Sequence, residues 1–269
     1  MVNNKYLFFG GSYSNFHAIQ RLKETADELG IPAKNIFHTG DVVGYCAFPE
    51  ETVRFVRDWG IQVIAGNVEI QLANGENDCG CNFDEGSRCA DFSTLWYPYA
   101  QTQLSEDSIS WMRSLPLYLS FELNNKRWSV IHGGIKNISE FIFASSPWEQ
   151  KEQIFKELGA DVVIAGHCGL PFFQKENDKI WINPGVIGMP ANDGTSRVWY
   201  GIYDASEESF EIKSLNYRSD QARKQMYEKQ LPPEYADTLI TGIWDNCEIL
   251  PDKETAVQGT PLEEKKFML

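Results

Sequence analysis

Asn35-Ile36-Phe37-His38, running into Thr39-Gly40-Asp41-Val42-Val43-Gly44-Tyr45, is the stretch on which the fold turns. A short apolar run stopped by glycine reads as a buried strand, with a polar loop at its carboxyl end. The pattern occurs four more times. Tyr6-Leu7-Phe8-Phe9 meets Gly10-Gly11-Ser12, and Ile61-Gln62-Val63-Ile64 meets Ala65-Gly66-Asn67. Trp128-Ser129-Val130-Ile131 meets His132-Gly133-Gly134, and Asp161-Val162-Val163-Ile164 meets Ala165-Gly166-His167.

Between these runs lie helical periodicities. Residues 15–29 place Ile19, Leu22, Ala26 and Leu29 on one face, and Gly30 closes the segment. Residues 49–59 turn Val53, Phe55 and Val56 inward; 105–115 and 146–158 follow suit, with Pro147 suited to a first helical turn. Strand alternating with helix predicts βαβ units, a largely parallel sheet and an α/β fold. From about residue 170 the character changes. Phe172-Phe173 and residues 180–182, 197–203 and 209–215 read as short strands making antiparallel returns, and 219–231 as an amphipathic helix before Pro232-Pro233. No linker divides the chain, so a single domain is expected over residues 1–250. Residues 251–269 are expected to form a polar, loosely held tail.

Composition narrows the function. The 269 residues carry a net charge of −14, which works against nucleic-acid polymers and anionic membranes, since both demand a concentrated positive field. A small anion remains compatible, because a bound divalent cation inverts the local potential. No stretch approaches the roughly 18 apolar residues of a membrane span, and the apolar run at residues 6–9 is too short for a signal segment. A cytoplasmic protein is expected, whose six cysteines serve as thiols or ligands and not as disulfides.

In open α/β sheets, ligands gather beyond the carboxyl ends of the strands. Four such loops begin with Asp41, Asn67, His132 and His167. One carboxylate, one amide oxygen and two imidazoles make a mixed oxygen–nitrogen set suited to Mn, Fe(II) or Zn. A lone His or Asp at a strand end is more often a turn former or a satisfied polar group. Four in succession, each after an apolar strand, point to a metal site. His17, in a helix, and His38, in a strand, read as structural.

In order and spacing, these loops resemble the signature of the calcineurin-like metallophosphoesterases, and in particular a bacterial branch related to diadenosine-tetraphosphate hydrolases and small phosphodiesterases. Gly40-Asp41-Val42-Val43-Gly44-Tyr45 matches the GDxxGY block, and His132-Gly133 the HG block. Gly66-Asn67-Val68-Glu69 matches GNH[DE] except at its third position; Gly166-His167-Cys168-Gly169-Leu170-Pro171-Phe172 matches GHTHxPF without the second His. Asn183-Pro184-Gly185-Val186-Ile187-Gly188-Met189-Pro190 resembles the NPGSVGxP turn. The resemblance spans residues 6–203 and implies a sandwich of two mixed β-sheets flanked by helices, with metal-dependent hydrolysis of a phosphate ester in a small phosphorylated molecule.

The departures from the signature are selective. Where the family opens with SDxHxN, this chain has Gly10-Gly11-Ser12-Tyr13-Ser14-Asn15, so Gly11 and Tyr13 replace an aspartate and a histidine. Gly169 replaces the last histidine. In the family those three serve only the first of two metals. The second-metal set carries over onto Asp41, Asn67, His132 and His167, which implies one divalent ion and assigns Asp41, Asn67 and His132 to catalysis. Val68 stands where the family has a leaving-group acid, and a valine has no proton to give; Glu69 is thereby expected to lose the residue it orients. Tyr13 and Asn15 in the opening loop are the candidates for substrate contact, with a sideways-packed Tyr13 as the alternative.

The cysteines cluster too. Cys79, Cys81 and Cys89 lie in an insertion directly after the GN block, Cys46 follows the GDxxGY block, and Cys168 follows His167. Cys79, Cys81, Cys89 and Cys168 could add soft ligands, or they could be small buried hydrophobes; CxC-x7-C matches no standard zinc or cluster spacing. Three functions follow: a one-metal hydrolase, a non-catalytic binder of a nucleotide or phosphometabolite, and a metal–thiolate sensor.

Overall fold

The computed structural model describes residues 4–81 and 86–269; residues 82–85 of the cysteine insertion lie outside the described residues. The chain runs β1 (Lys5–Phe9), α1 (Phe16–Glu28), β2 (Ile36–His38), α2 (Pro49–Trp59), β3 (Gln62–Val63), α3 (Asn67–Asn74), α4 (Arg88–Gln103) and α5 (Glu106–Arg113). It continues through β4 (Tyr118–Leu123), β5 (Lys126–Ile131), α6 (Trp148–Leu158), β6 (Val162–Ile164), β7 (Phe172–Glu176), β8 (Lys179–Asn183), β9 (Val198–Asp204) and β10 (Ser209–Leu215). The last elements are α7 (Ser219–Glu228), α8 (Pro233–Thr241), α9 (Asp252–Thr255) and β11 (Lys265–Met268).

Two sheets result. One has the order β11-β10-β9-β1-β2-β3, the other β4-β5-β6-β8-β7. Both are mixed: β1-β2-β3 and β5-β6-β8 are parallel, while β9, β10, β4 and β7 run antiparallel to their neighbours. The parallel cores are the five glycine-stopped runs of the sequence plus β8. That strand read as an antiparallel return, yet it lies parallel to β6 and antiparallel to β7. The five loops therefore open on one edge of the sandwich, as parallel order requires.

Between the sheets Phe8, fully buried, stacks on Phe37 at 5.1 Å and on Trp128 at 5.9 Å, with Ile164 and Ile182 alongside. Removing so large a central ring costs about 3–5 kcal/mol. On the outer face of the first sheet, Ile19 and Leu22 of α1 and Val53 and Val56 of α2 pack against Leu7 and Ile36. Ile154 and Phe155 of α6 cover Val163 and Trp181 of the second sheet. Helices thus flank both outer surfaces, each using the apolar stripe legible in its sequence.

The carboxyl-terminal segment corrects an expectation. Residues 251–269 are largely exposed, but Lys265–Met268 pair antiparallel with β10, and Phe267 stacks on Phe173 at 4.2 Å. Leu262, Phe267 and Leu269 supply the apolar contacts that a purely polar tail would lack. Among the described residues, no helix is long and apolar enough to cross a membrane.

Candidate metal centre

Four strand ends converge as their loops predict. Asp41 follows β2, Asn67 opens α3 directly after β3, His132 follows β5 and His167 follows β6. Among the described residues, Asp41, His132 and His167 form a buried group with ligand atoms all within 4.8 Å of one another. His132 Nε2 lies 2.9 Å from Asn67 Oδ1, 3.0 Å from His167 Nδ1 and 3.3 Å from Asp41 Oδ2.

The hydrogen-bond roles explain why such a cluster calls for a cation. His132 Nδ1 is 2.7 Å from the Thr39 carbonyl, which can only accept, so Nδ1 carries the ring proton and Nε2 presents a lone pair. Asn67 donates its amide N–H groups to the Cys79 carbonyl at 2.8 Å and to Cys81 Sγ at 3.3 Å, which aims its oxygen inward. His167 Nε2 is buried without a partner. The inner atoms of the cluster are therefore acceptors facing acceptors, and a shared cation satisfies all of them at once. The set fits a divalent transition metal.

Burial works against ionised Asp41, but the His132 charge and hydrogen bond outweigh it and hold the carboxyl below its usual range. Burial likewise disfavours protonated His132, yet the Asp41 charge prevails and raises that ring. Burial, reinforced by His132, takes His167 down to about 3, so it stays neutral, the form a metal ligand requires.

The backbone is bent to hold these groups. Asp41 and His167 adopt left-handed φ values of 60° and 59°, and Tyr13 one of 47°. Such conformations are costly for residues with a Cβ and collect where function requires them. Gly66 is dictated by crowding: a Cβ there would stand 2.2 Å from Asp41 Oδ1.

Glu69 has a role the sequence did not disclose. Far from idle, its Oε2 accepts from the Asp41 and Gly66 N–H groups, both at 2.8 Å. Oε1 accepts from Val42 at 2.9 Å and Val43 at 3.2 Å. One buried carboxylate thus ties the loop bearing Asp41 to the helix bearing Asn67. Burial, then the Asp41 charge, pushes Glu69 up to about 7 against these four donors.

Tyr13 lines the cavity above the cluster. Its ring covers Gly11 so closely that a Cβ at residue 11 would sit 2.3 Å from two ring carbons. Burial, then the Asp41 charge, keeps its hydroxyl a neutral donor. Asn15, by contrast, does not line the cavity. Its oxygen caps α1 at the Ala18 N–H, and its amide donates to the Gly188 carbonyl at 3.1 Å and the Tyr217 hydroxyl at 3.0 Å. Its substrate-contact role is replaced by a structural one. His38 is structural as read: it accepts from the Gly40 N–H at 3.0 Å and donates to Ser12 Oγ at 2.7 Å.

The cysteines divide. Cys79 and Cys81 place their sulfurs 2.6 Å apart beside Asn67, while Cys89 contacts Asn246 and Cys168 accepts from Asn183 at 3.1 Å. Cys81, Cys89 and Cys168 line the cavity, yet the ligand-capable cluster of described residues contains no cysteine. Burial pushes Cys168 up to about 12 and raises Cys81 and Cys89, which keeps them thiols.

The profile of the calcineurin-like phosphoesterase superfamily domain matches residues 11–208, and the chain belongs to that superfamily. An uncharacterised protein of Methanocaldococcus jannaschii is 25% identical over 259 residues, covering 90% of this chain and all of its relative. The fold is shared with a hypothetical protein of Pyrococcus horikoshii (TM-score 0.74, 18% identity) and a metallophosphoesterase of Sphaerobacter thermophilus (TM-score 0.71, 22% identity). Each alignment covers 89% of this chain and 99% of the other.

Proposed function

We propose that this chain is a one-metal phosphoesterase acting on a small phosphorylated molecule, with Asp41, Asn67, His132 and His167 holding a single Mn, Fe or Zn ion. The observation that carries the reading is the convergence of acceptor atoms on His132 Nε2 at the floor of a cavity. When bound, such an ion supplies Lewis-acid polarisation of a phosphoryl oxygen and a lowered pKa for water. The chain's own residues do the rest. Tyr13 donates its hydroxyl to a phosphate oxygen, apolar walls exclude bulk water, and Glu69 keeps Asp41 and Asn67 in register.

What the chain lacks also shapes the chemistry. Val68 offers no proton to the leaving group, an aid worth typically 10²–10⁴-fold, so esters with good leaving groups are favoured. The net charge of −14 favours a small ligand over a nucleic-acid polymer. We place the protein in the cytoplasm, where its thiols stay reduced. Affinity to the bacterial branch related to diadenosine-tetraphosphate hydrolases rests on the loop motifs alone.

A second reading, a non-catalytic phosphate-ester binder, draws on the filling of the Gly11 region by the Tyr13 ring. The metal–thiolate sensor gains no support, since the clustered ligands exclude the cysteines. Metal-reconstituted protein assayed on bis(p-nitrophenyl) phosphate separates the first two. Hydrolysis lost together with bound metal in His132→Ala supports the enzyme; stoichiometric metal without turnover supports the binder.

A further inference from the structure

The cavity over the cluster has walls of unusual chemistry for an anion site. It is bounded by Tyr45, Phe141, Met189, Tyr235, Trp244 and Ile249. Phe141 lies 4.3 Å from the His167 ring, and Tyr45 and Tyr235 are 4.7 Å apart, so apolar surface reaches down to the ligands. Among the described residues, no lysine or arginine lines it. Residues 82–85 are Asn-Phe-Asp-Glu and contain no cation. Arg88, nearby in the fold, is bound to Asp245 and Glu234.

Charge counting then limits the ligand. A divalent ion with one carboxylate ligand, Asp41, would leave a net charge of at most +1 at the floor, and the other charged side chain on the described walls, Asp245, is an acid paired with Arg88. A singly charged phosphoryl group is matched; a dianion or a polyphosphate is not. The walls reward burial of apolar and ring surface. We propose that this cavity selects monoanionic phosphate diesters carrying a bulky aromatic or apolar group, and discriminates against phosphomonoesters and polyphosphates. The proposal rests on the phosphoesterase reading above and names the substrate class of the same site.

The test uses paired probes with one leaving group: p-nitrophenyl phenylphosphonate, p-nitrophenyl methylphosphonate and the dianion p-nitrophenyl phosphate. The phenyl compound should exceed the methyl one in kcat/KM by about tenfold or more, as a filled apolar pocket warrants. Trp244→Ala should shrink that ratio. Ile249→Arg, a half-buried wall position, should shift preference towards p-nitrophenyl phosphate at little cost in folding. A phenyl-to-methyl ratio near one, or a ratio unchanged in both variants, overturns the proposal. If no probe is hydrolysed, the catalytic reading fails by itself. Calorimetry then decides the wall chemistry, with phenyl phenylphosphonate expected to bind the metal-loaded protein about tenfold more tightly than methyl methylphosphonate. Equal affinities refute it.

Discussion

Replacing Glu69 with Gln changes one oxygen for an NH2 group at nearly constant volume, and it tests the tie between the two halves of the metal centre. The carboxylate accepts four backbone N–H groups, two on each oxygen. Gln can satisfy two of them through its remaining oxygen, while its NH2 group faces the other two donors. Each buried donor left without an acceptor costs about 1–3 kcal/mol, so about 4 kcal/mol of stability should disappear. In a chain of this size that lowers Tm by about 10 °C. Loosening Asp41 relative to Asn67 should also weaken metal binding by about 10- to 100-fold, the usual toll when a group supporting the ligands is lost. Differential scanning calorimetry of the metal-free protein and a chelator-competition titration read the two effects separately. A Tm within about 2 °C of the parent, together with unchanged metal affinity, would refute the idea that Glu69 couples the loops.

Elemental analysis of the purified protein should find at most one ion per chain; two fully occupied ions would contradict the ligand count. Tyr13→Phe should weaken phosphate binding by about 0.5–1.5 kcal/mol with metal content unchanged, and calorimetric titration showing parent-like affinity would remove Tyr13 from the site. Lys151, fully buried on carbonyl groups, is lowered to about 8 chiefly by burial. Its folded pKa lies below the 10.5 of a free lysine, so the unfolded chain binds more protons between pH 8 and 10.5, and stability relative to Lys151→Met should rise by about 3 kcal/mol across that window. Urea midpoints that keep a constant gap between the two proteins would rule this out.

Much of the architecture was legible because its cause is local. The helix at Pro49–Trp59 and the strand at Ser209–Leu215 have the bounds their patterns announce, since Gly60 stops one and the inward Phe210 and Ile212 flank Glu211 in the other. The 16-residue helix Arg88–Gln103 was not read, because its apolar residues keep no single stripe and Pro98 interrupts it. Asp41, Asn67, His132 and His167 could be found because each ends a glycine-stopped strand. Glu69 and Asn15 were misjudged for a common reason. Several of their partners are main-chain groups brought close only by folding, which no side-chain motif records. The strand at Lys265–Met268 was hidden by two lysines on a solvent-facing edge.

The contact between Tyr13 and Gly11 makes the site a ratchet. With the tyrosine ring in place, a Cβ at position 11 stands 2.3 Å from it, so an aspartate arriving there alone forces the buried ring to move. A histidine arriving alone at position 13 finds Asp41 but no second carboxylate at position 11. Each single step back towards two metals is therefore unrewarded, and only the paired change Gly11→Asp with Tyr13→His escapes the penalty. Gly169 is less constrained by space, its nearest neighbours lying 3.8 Å from a built Cβ, but its φ of +75° taxes any other residue. In the proposed one-metal site, the ring over Gly11 and the left-handed backbone of Gly169 together oppose a second set of ligands.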